Sequence, residues 1–220
     1  MNVQTFDSAA ARQALVDSQV RVNDVTDKHI QAAYRRVPRE AFAPAGLGAA
    51  VYSETEIETG PGRWLWRARD SSKLLQSLEP QAGQTALVIG GGLGYIAAIL
   101  AEIGLKVTAL EADEARANAM RDALKAAGFS SVEVVSGDLL AGVEGKSFDL
   151  LYVDGGVVNV ERAWLDQLAE GGRLGVVVRD RAAGHARIYR KSSNVTGHSS
   201  VFEAMPPVLP EFEPAPAFKF

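Results

Sequence analysis

The stretch Ala86-Leu87-Val88-Ile89-Gly90-Gly91-Gly92-Leu93-Gly94-Tyr95 joins a short apolar run to a glycine-rich turn, and an apolar helical pattern follows it to Ile103. A short apolar run that ends at glycines is typical of a strand buried on both faces of a sheet. The whole apolar region approaches the length of a membrane span, but the glycines and Glu102 interrupt it. The sequence therefore predicts a buried strand, a glycine turn and a helix.

The same alternation of strands and helices continues along the chain. Strands are predicted at 86–89, 107–110, 132–135, 148–153 and 174–178, with helices at 95–103, 114–127 and 161–169 between them. Strands that alternate with helices through short links form a parallel sheet covered on both faces. The predicted fold class is therefore α/β, a Rossmann-like fold with a mainly parallel, doubly wound sheet.

Flanking regions complete the predicted architecture. Asp7 or Ser8 and then Thr26 are candidate caps of two helices in an N-terminal extension, and a long, partly extended connection is predicted at 44–62. Short extended runs at 186–190 and 201–204 predict a C-terminal antiparallel hairpin, and the proline-rich tail at 206–220 is expected to lie over the surface. We expect N-terminal helices and a substrate-side loop at 1–68 and the core at 69–220, in one compact unit overall.

Composition argues against several classes of function. The chain has 220 residues, of which 47% are hydrophobic and 23% charged, as in an ordinary soluble globular protein. It has no cysteine and three scattered histidines, so no metal site is expected, and its net charge of −4 argues against nucleic acid as a partner. The amino terminus lacks a basic region followed by an apolar segment, which favours a cytoplasmic protein without membrane attachment.

The spacing of the glycines bears on the ligand. Gly90, Gly92 and Gly94 satisfy Gly-x-Gly-x-Gly, whereas the dinucleotide pattern Gly-x-Gly-x-x-Gly would need glycine in place of Tyr95. This spacing favours S-adenosylmethionine over NAD, and a turn of this kind places its ligand at the N-terminus of the following helix. A glycine turn that serves only close packing is the alternative interpretation.

Carboxylates follow three of the predicted strands. Glu111 lies about 20 residues beyond the glycines, where an acidic side chain accepts hydrogen bonds from ribose hydroxyls; a surface glutamate in an acidic stretch is the alternative interpretation. Asp138 is placed to accept from an adenine amino group, while Leu139 packs on the ring; a Gly-Asp pair that only forms a turn is the equal alternative. Asp154 ends the fourth strand, where it either positions an acceptor substrate or the methionine part of the cofactor, or caps the next loop.

With these elements placed, the chain resembles the protein-L-isoaspartate O-methyltransferase family over nearly its whole length. The amino-terminal part carries what separates this family from other methyltransferases, above all a Val-Pro-Arg-x-x-Phe-x-Pro signature at 37–44. Further similarities lie at 15–21, 25–27, 137–138, 148–149 and, quite specifically, in the run Leu165-Asp166-Gln167-Leu168-Ala169-Glu170-Gly171-Gly172-Arg173-Leu174.

The resemblance implies transfer of a methyl group from S-adenosylmethionine to the free carboxylate of an isoaspartyl residue in a peptide or protein. It implies cofactor-binding positions at Gly90, Gly92, Gly94, Glu111 and Asp138. With their neighbours added, the predicted cofactor-binding residues are Gly90, Gly91, Gly92, Gly94, Tyr95, Glu111, Ala112, Asp138 and Leu139.

Two departures from the family pattern concern the active centre. Trp66 stands where the family keeps its serine, and Ala68 replaces the proline that follows. Val88 replaces an acidic residue two places before the first glycine. Loss of that carboxylate is expected to weaken cofactor binding by about 1–3 kcal/mol, the scale of a missing charge-assisted hydrogen bond.

The acceptor side is less defined, and no catalytic residue is assigned. Trp64, Trp66, Arg67 and Asp154 are candidate acceptor-binding residues, while packing of the tryptophans between the N-terminal helices and the sheet is an equal alternative. The function predicted first is carboxyl methyl transfer. The alternatives are a non-catalytic binding protein, a methyltransferase with a different acceptor and, more weakly, an NAD-linked enzyme. The enzymatic interpretation requires an open cleft beyond the first strand of the sheet.

Overall fold

The computed structural model describes residues 6–180, 183–193 and 195–213. Its amino-terminal part is helical, as predicted. Helix α1 (Ser8–Leu15) continues through a π-helical turn at Val16–Val20 and a 3-10 turn at Arg21–Asn23, and helix α2 spans Lys28–Arg36.

The caps of these helices are both aspartates. The Asp7 carboxylate accepts hydrogen bonds from two backbone N–H groups of the first turn of α1. The prediction that Thr26 caps the second helix is wrong, because Asp27 accepts from the N–H groups of His29 and Ile30. Thr26 instead donates its backbone N–H to Gln76, which ties the start of α2 to the core.

The connection at 44–62 contains more regular structure than predicted. A 3-10 turn at Gly48–Tyr52 is followed by strand β1 (Ile57–Gly60), which pairs antiparallel with strand β2 (Arg63–Leu65). Pro61 and Gly62 form the tight turn between them. The prolines and glycines that suggested an irregular loop therefore belong in part to a hairpin.

The core is a seven-stranded sheet flanked by helices. Its strands are β3 (Thr85–Ile89), β4 (Lys106–Glu111), β5 (Glu133–Ser136), β6 (Phe148–Val157), β7 (Leu168–Arg179), β8 (Gly184–Ser192) and β9 (Val195–Glu203). The helices are α3 (Ala68–Leu78), α4 (Tyr95–Ile103), α5 (Glu114–Ala126) and α6 (Arg162–Asp166). The strand order is β5-β4-β3-β6-β7-β8-β9, parallel from β5 to β7 and antiparallel in the hairpin β8–β9.

The predicted helix at 161–169 is too long. Helix α6 ends at Asp166, and β7 begins at Leu168, which pairs with Phe148. Pairing with β6 extends β7 before its apolar centre, while its pairing with β8 begins only at Arg173. The adjacent strand β6 likewise continues to Val157, four residues past the predicted end.

Apolar side chains cover the two faces of the sheet differently. The N-terminal helices and α3, α4 and α5 contribute to a large cluster on one face, which includes Val88 and Tyr152. A smaller cluster on the other face contains Val153, Trp164 of α6 and side chains from the end of the chain. Among the described helices, none is long and apolar enough to cross a bilayer.

The end of the chain does not lie over the surface as expected. Residues 206–213, here named the C-terminal strap, run across the carboxyl ends of the parallel strands, with Leu209 and Phe212 buried. Burial of two large apolar side chains outweighs the tendency of a proline-rich segment to stay solvated. The remainder of the predicted tail, including Phe218 and Phe220, lies outside the described residues.

Candidate cofactor and acceptor site

The point where the strand order reverses lies between β3 and β6. The chain proceeds from β3 outward to β4 and β5, and from β6 in the opposite direction to β7. In open parallel sheets, ligands bind in the crevice outside the carboxyl ends of the strands at such a point. Gly90 follows β3 there, while Asp154 and Gly155 lie on the adjoining part of β6.

The glycine turn has the conformation that its spacing predicts. Gly90, Gly92 and Gly94 have φ angles of +71°, +58° and +95°, in the left-handed region that residues with a Cβ rarely adopt. A Cβ on Gly94 would also lie 3.1 Å from side-chain atoms of Leu124 and Met120, so α4 packs close to α5 at this point. Helix α4 begins immediately after the turn, with its N-terminus at the crevice.

Glu111, at the end of β4, lies against the glycine turn and binds its backbone. Its carboxylate is fully buried and accepts hydrogen bonds from the backbone N–H groups of Gly92 at 2.7 Å and Ala112 at 3.1 Å. The structure therefore brings together the glycines and the acidic residue that the sequence placed in register. The alternative of a surface glutamate does not apply, since no part of the residue is exposed.

Arg63 of β2 is the residue at this site that the sequence analysis missed. It is 2% exposed, and its Nε and Nη2 donate to the Glu111 carboxylate at 2.9–3.1 Å. Burial by itself lowers the pKa of the guanidinium, but hydrogen bonds to Glu211 and Glu111 outweigh it and raise that pKa. The only signal in the sequence is an arginine directly after Pro61-Gly62, where the connection predicted at 44–62 ends.

The C-terminal strap fills the crevice itself. Leu209 is 1% exposed, and a Cβ built on Gly90 would lie 2.9 Å from its Cδ1 atom. A Cβ on Gly155, across the crevice, would overlap the same side chain. Leu209 therefore occupies the space between the ends of β3 and β6, which the two glycines leave free.

The predicted adenine-side residues have other contacts. Asp138 is exposed and accepts from the backbone N–H of Leu140, as the first residue of a tight turn does. Leu139 is buried in the smaller apolar cluster, and its carbonyl accepts from the indole N–H of Trp164. Phe212 of the strap packs on Trp164, with ring centroids 5.3 Å apart.

Two of the four acceptor-side candidates, Trp66 and Asp154, are buried at β6. Trp66 is 3% exposed and packs on Tyr152, and its indole nitrogen has no hydrogen-bond partner among the described residues. The Tyr152 hydroxyl is also buried and has no hydrogen-bond partner among the described residues. Asp154 points to the same face of β6 as Tyr152, and burial first, then the charge of Glu111, raises its pKa to about 8.

Three further predicted residues are engaged elsewhere. Arg67 forms ion pairs with Glu56 and Asp70, and Trp64 is half-buried against the larger apolar cluster. The ring of Tyr95 packs against two aromatic rings of the N-terminal region, those of Tyr34 and Phe42. The contact of Trp64 agrees with the alternative in which the tryptophans pack the N-terminal region onto the sheet, and Tyr95 packs in the same way.

Other features outside the crevice offer no comparable arrangement. A depression of about 480 Å³ lies at the opposite, amino-terminal edge of the sheet, but Thr108 and Lys146 in its lining already bind Glu133. Within the described ranges, no group of three or more His, Cys, Asp or Glu side chains is arranged to hold a metal ion.

Comparison with known proteins decides the family. The family model of protein-L-isoaspartate(D-aspartate) O-methyltransferases matches residues 10–205. The chain belongs to the protein-L-isoaspartate(D-aspartate) O-methyltransferase family. Protein-L-isoaspartate O-methyltransferase 1 of Rhodopseudomonas palustris is 35% identical over 76% of this chain and 68% of its own length. The corresponding enzyme of Methanoculleus marisnigri is 32% identical over 74% of each chain.

Solved structures support the same fold. A protein-L-isoaspartate O-methyltransferase superposes with a TM-score of 0.79 at 23% identity, over 90% of this chain and 65% of its own. A Plasmodium falciparum protein assigned to these methyltransferases was solved with S-adenosyl-L-homocysteine. It superposes with a TM-score of 0.79 at 16% identity, over 91% of this chain and 98% of its own. The predicted family and Rossmann-like fold are confirmed.

The family's cofactor does not fit this crevice in the conformation described. Leu209 fills the space beside Gly90, and both oxygens of Glu111 already accept hydrogen bonds from Arg63 and the backbone. The turn and the carboxylate have the right chemistry for an adenosyl group. A cavity of about 250 Å³, with Gly92 and Arg63 in its lining, is open beside the turn, but the space next to Gly90 opens only when the C-terminal strap moves.

Proposed function

We propose that this chain is an S-adenosylmethionine-dependent carboxyl O-methyltransferase that acts on isoaspartyl or related carboxylates of peptides and proteins. The observation that carries the proposal is the joint geometry of the glycine turn and Glu111, in a chain of the protein-L-isoaspartate O-methyltransferase family. The relatives named above carry that activity in their names. Both features lie where an open parallel sheet binds its ligand.

We infer that the acceptor pocket differs from the family's usual one. Trp66 fills the place of the family serine with a ring packed on Tyr152, so the pocket is more apolar and narrower there. A carboxylate acceptor is already ionised at neutral pH and needs no general base. The neighbouring Asp154 has its pKa raised to about 8 by burial and by Glu111, which keeps this side chain mostly neutral and reduces its repulsion of an incoming carboxylate.

The experiment is transfer of labelled methyl from S-adenosylmethionine to an isoaspartyl peptide, with the matched aspartyl peptide as substrate control. Glu111→Gln is expected to lower transfer by about tenfold or more, since it removes one charge-assisted acceptor. Glu144→Gln, an exposed glutamate, is the matched control and should leave transfer unchanged. Absence of transfer while S-adenosylhomocysteine demonstrably binds would remove this acceptor class and favour a methyltransferase with another acceptor.

A second candidate function is a non-catalytic binding protein, and the filled crevice is the observation that favours it. Val88 and Trp66, which replace family polar residues, point the same way. Calorimetry with S-adenosylhomocysteine separates the two candidates. No binding at millimolar ligand, by the intact chain or by variants with an opened crevice, would support the non-catalytic protein.

A further inference from the structure

The C-terminal strap lies where the proposed function needs its ligand. We propose that this strap is an autoinhibitory plug, which competes with the cofactor for the crevice and has to leave before the cofactor binds. The inference rests on the proposed function, because it takes S-adenosylmethionine as the ligand of the glycine turn. Three sets of contacts carry it: an apolar anchor, an ionic anchor and a short backbone pairing.

The apolar anchor at the crevice is Leu209, and Phe212, buried against Trp164, holds the strap beyond it. The Leu209 side chain fits between Gly90 and Gly155, at the two positions where the crevice walls have no Cβ. It packs into the same apolar cluster as Leu139, the residue predicted to face the adenine ring. The strap thus covers the apolar surface that a bound adenosyl group would cover, and both cannot be present together.

The ionic anchor is Glu211. Its carboxylate accepts from Arg63 Nη2 at 2.8 Å and from Nη1 at 3.2 Å, while the same guanidinium binds Glu111. Burial by itself raises the pKa of Glu211, but the hydrogen bonds from Arg63 outweigh it and lower that pKa, so the carboxylate is ionised at neutral pH. Glu211 therefore holds Arg63 over the carboxylate predicted to bind ribose.

The strap is attached so that its release leaves the sheet intact. Its backbone pairs with β6 at a single bridge, Gly156 with Val208. The Leu209 N–H donates to the Gly156 carbonyl at 2.9 Å, and the Gly156 N–H donates to the Pro207 carbonyl at 2.8 Å. The seven strands keep their own ladders without it. A segment held by few backbone hydrogen bonds opens at lower free energy than the strands beneath it.

The first test is calorimetric binding of S-adenosylhomocysteine to the full chain and to point variants. Leu209→Ala and Glu211→Gln each weaken one anchor, and we expect each to bind about tenfold more tightly than the parent chain, since a larger fraction is open. Met205→Ala and Glu213→Gln remove comparable groups at exposed positions beside these anchors and should leave affinity unchanged. Equal affinity of all five proteins would overturn the proposal.

The second test locks the strap shut. A Cβ on Gly62 would lie 3.7 Å from the Cβ of Pro210, within the range of disulfide-bonded cysteines. The chain has no cysteine of its own, so Gly62→Cys with Pro210→Cys gives one defined thiol pair. The oxidised protein should bind S-adenosylhomocysteine at least about tenfold more weakly than the same protein after reduction. Equal binding by both forms, with the disulfide verified by mass, contradicts the plug.

Amide hydrogen exchange reports directly on whether the strap leaves the crevice. It also distinguishes failure of the plug proposal from failure of the methyltransferase proposal. If the plug leaves, saturating S-adenosylhomocysteine accelerates exchange of the Leu209 and Gly156 amides, which are paired in the closed form. Ligand bound with these amides still protected refutes the plug and leaves the methyltransferase proposal standing. No binding by any variant, with each shown to be folded by its circular dichroism, refutes the methyltransferase proposal and the plug with it.

Discussion

Arg63 and Glu111 form a buried pair on which the closed crevice depends. Their side chains are 2% and 0% exposed, so loss of either partner leaves an uncompensated charge inside the protein. We expect Arg63→Met to lower the free energy of unfolding by about 3–5 kcal/mol, as measured by urea denaturation. The reason is the cost of burying Glu111 without its guanidinium.

The matched control for that prediction is Arg36→Met. Arg36 pairs with Glu102 at 3.0 Å but is 70% exposed, so its loss should cost less than about 1 kcal/mol. Combining Arg63→Met with Glu111→Leu should restore part of the stability, because both buried charges are then gone. A double variant no more stable than Arg63→Met would contradict this account of the pair.

The raised pKa of Asp154 should make the free energy of unfolding depend on pH. Burial, with a contribution from Glu111, raises the folded-state pKa of this residue to about 8, while Arg39 and Arg63 oppose the rise. The unfolded chain releases this proton near pH 4, so between about pH 4 and 8 the folded protein holds more protons and its free energy of unfolding falls as pH rises. Asp154→Asn should remove a fall of a few kcal/mol across this window, as measured by urea denaturation at pH 5, 6.5 and 8.

Asp149→Asn is the control for the pH effect. Hydrogen bonds from Thr85 lower the pKa of Asp149, so the stability it contributes is lost only as pH falls below about 4. The slope between pH 5 and 8 should therefore be the same in Asp149→Asn as in the parent chain. Persistence of that slope in Asp154→Asn would show that another group causes it.

At the scale of elements, the glycine turn joins a strand to a helix under two constraints. Gly94 has φ +95°, and a Cβ there would press on Leu124 and Met120 of α5 at 3.1 Å. We expect Gly94→Ala to lower the midpoint of urea unfolding by an amount equivalent to about 2–4 kcal/mol, the sum of a left-handed backbone cost and overpacking.

Gly128 offers the comparison that separates the two costs. It has φ +89°, but a Cβ there would meet nothing within 4 Å. Gly128→Ala should therefore cost only the backbone term, about 1–2 kcal/mol. If the two variants are equally destabilised, packing of α4 on α5 does not explain why glycine is needed at position 94.

At the scale of the whole molecule, the N-terminal region and the sheet share one apolar cluster, and the ring of Tyr95 in α4 lies with its centroid 5.1 Å from the guanidinium carbon of Arg39. This buried side chain donates to the carbonyl of Val51 at 2.9 Å and to that of Trp66 at 2.6 Å. We propose that residues 1–68 and 69–220 unfold as one cooperative unit. Unfolding followed by circular dichroism and, in a Trp164→Phe background, by fluorescence of Trp64 and Trp66 should give coincident curves.

Arg39→Met tests that coupling. It leaves two buried carbonyls without their donors, which should lower stability by about 2–4 kcal/mol. His29, exposed on α2, provides the control variant His29→Met, which should change stability by less than about 0.5 kcal/mol. Separate transitions for circular dichroism and fluorescence in the Trp164→Phe chain would show two independently folding parts.

Much of the architecture could be predicted because its signals are local. Glycine spacing and apolar runs gave helix α4 with its observed bounds and most of the parallel strands within a few residues. Glu111 was placed correctly because strand length and sheet register bring it to the turn. The end of α6, the hairpin β1–β2 and the course of the strap were not predicted, because each depends on partners distant in the sequence.

By itself, then, the sequence determined the family, the Rossmann-like sheet and the glycine turn, since backbone conformation and apolar periodicity are properties of neighbouring residues. Only the tertiary structure decided what occupies the crevice. Glu111 and Glu211 lie 48 and 148 residues beyond Arg63 along the chain, but the three side chains meet in one ion-paired group. Leu209 enters the gap between two glycines for the same reason: burial and charge pairing act through space, and a proline-rich segment carries no local pattern that reveals its destination.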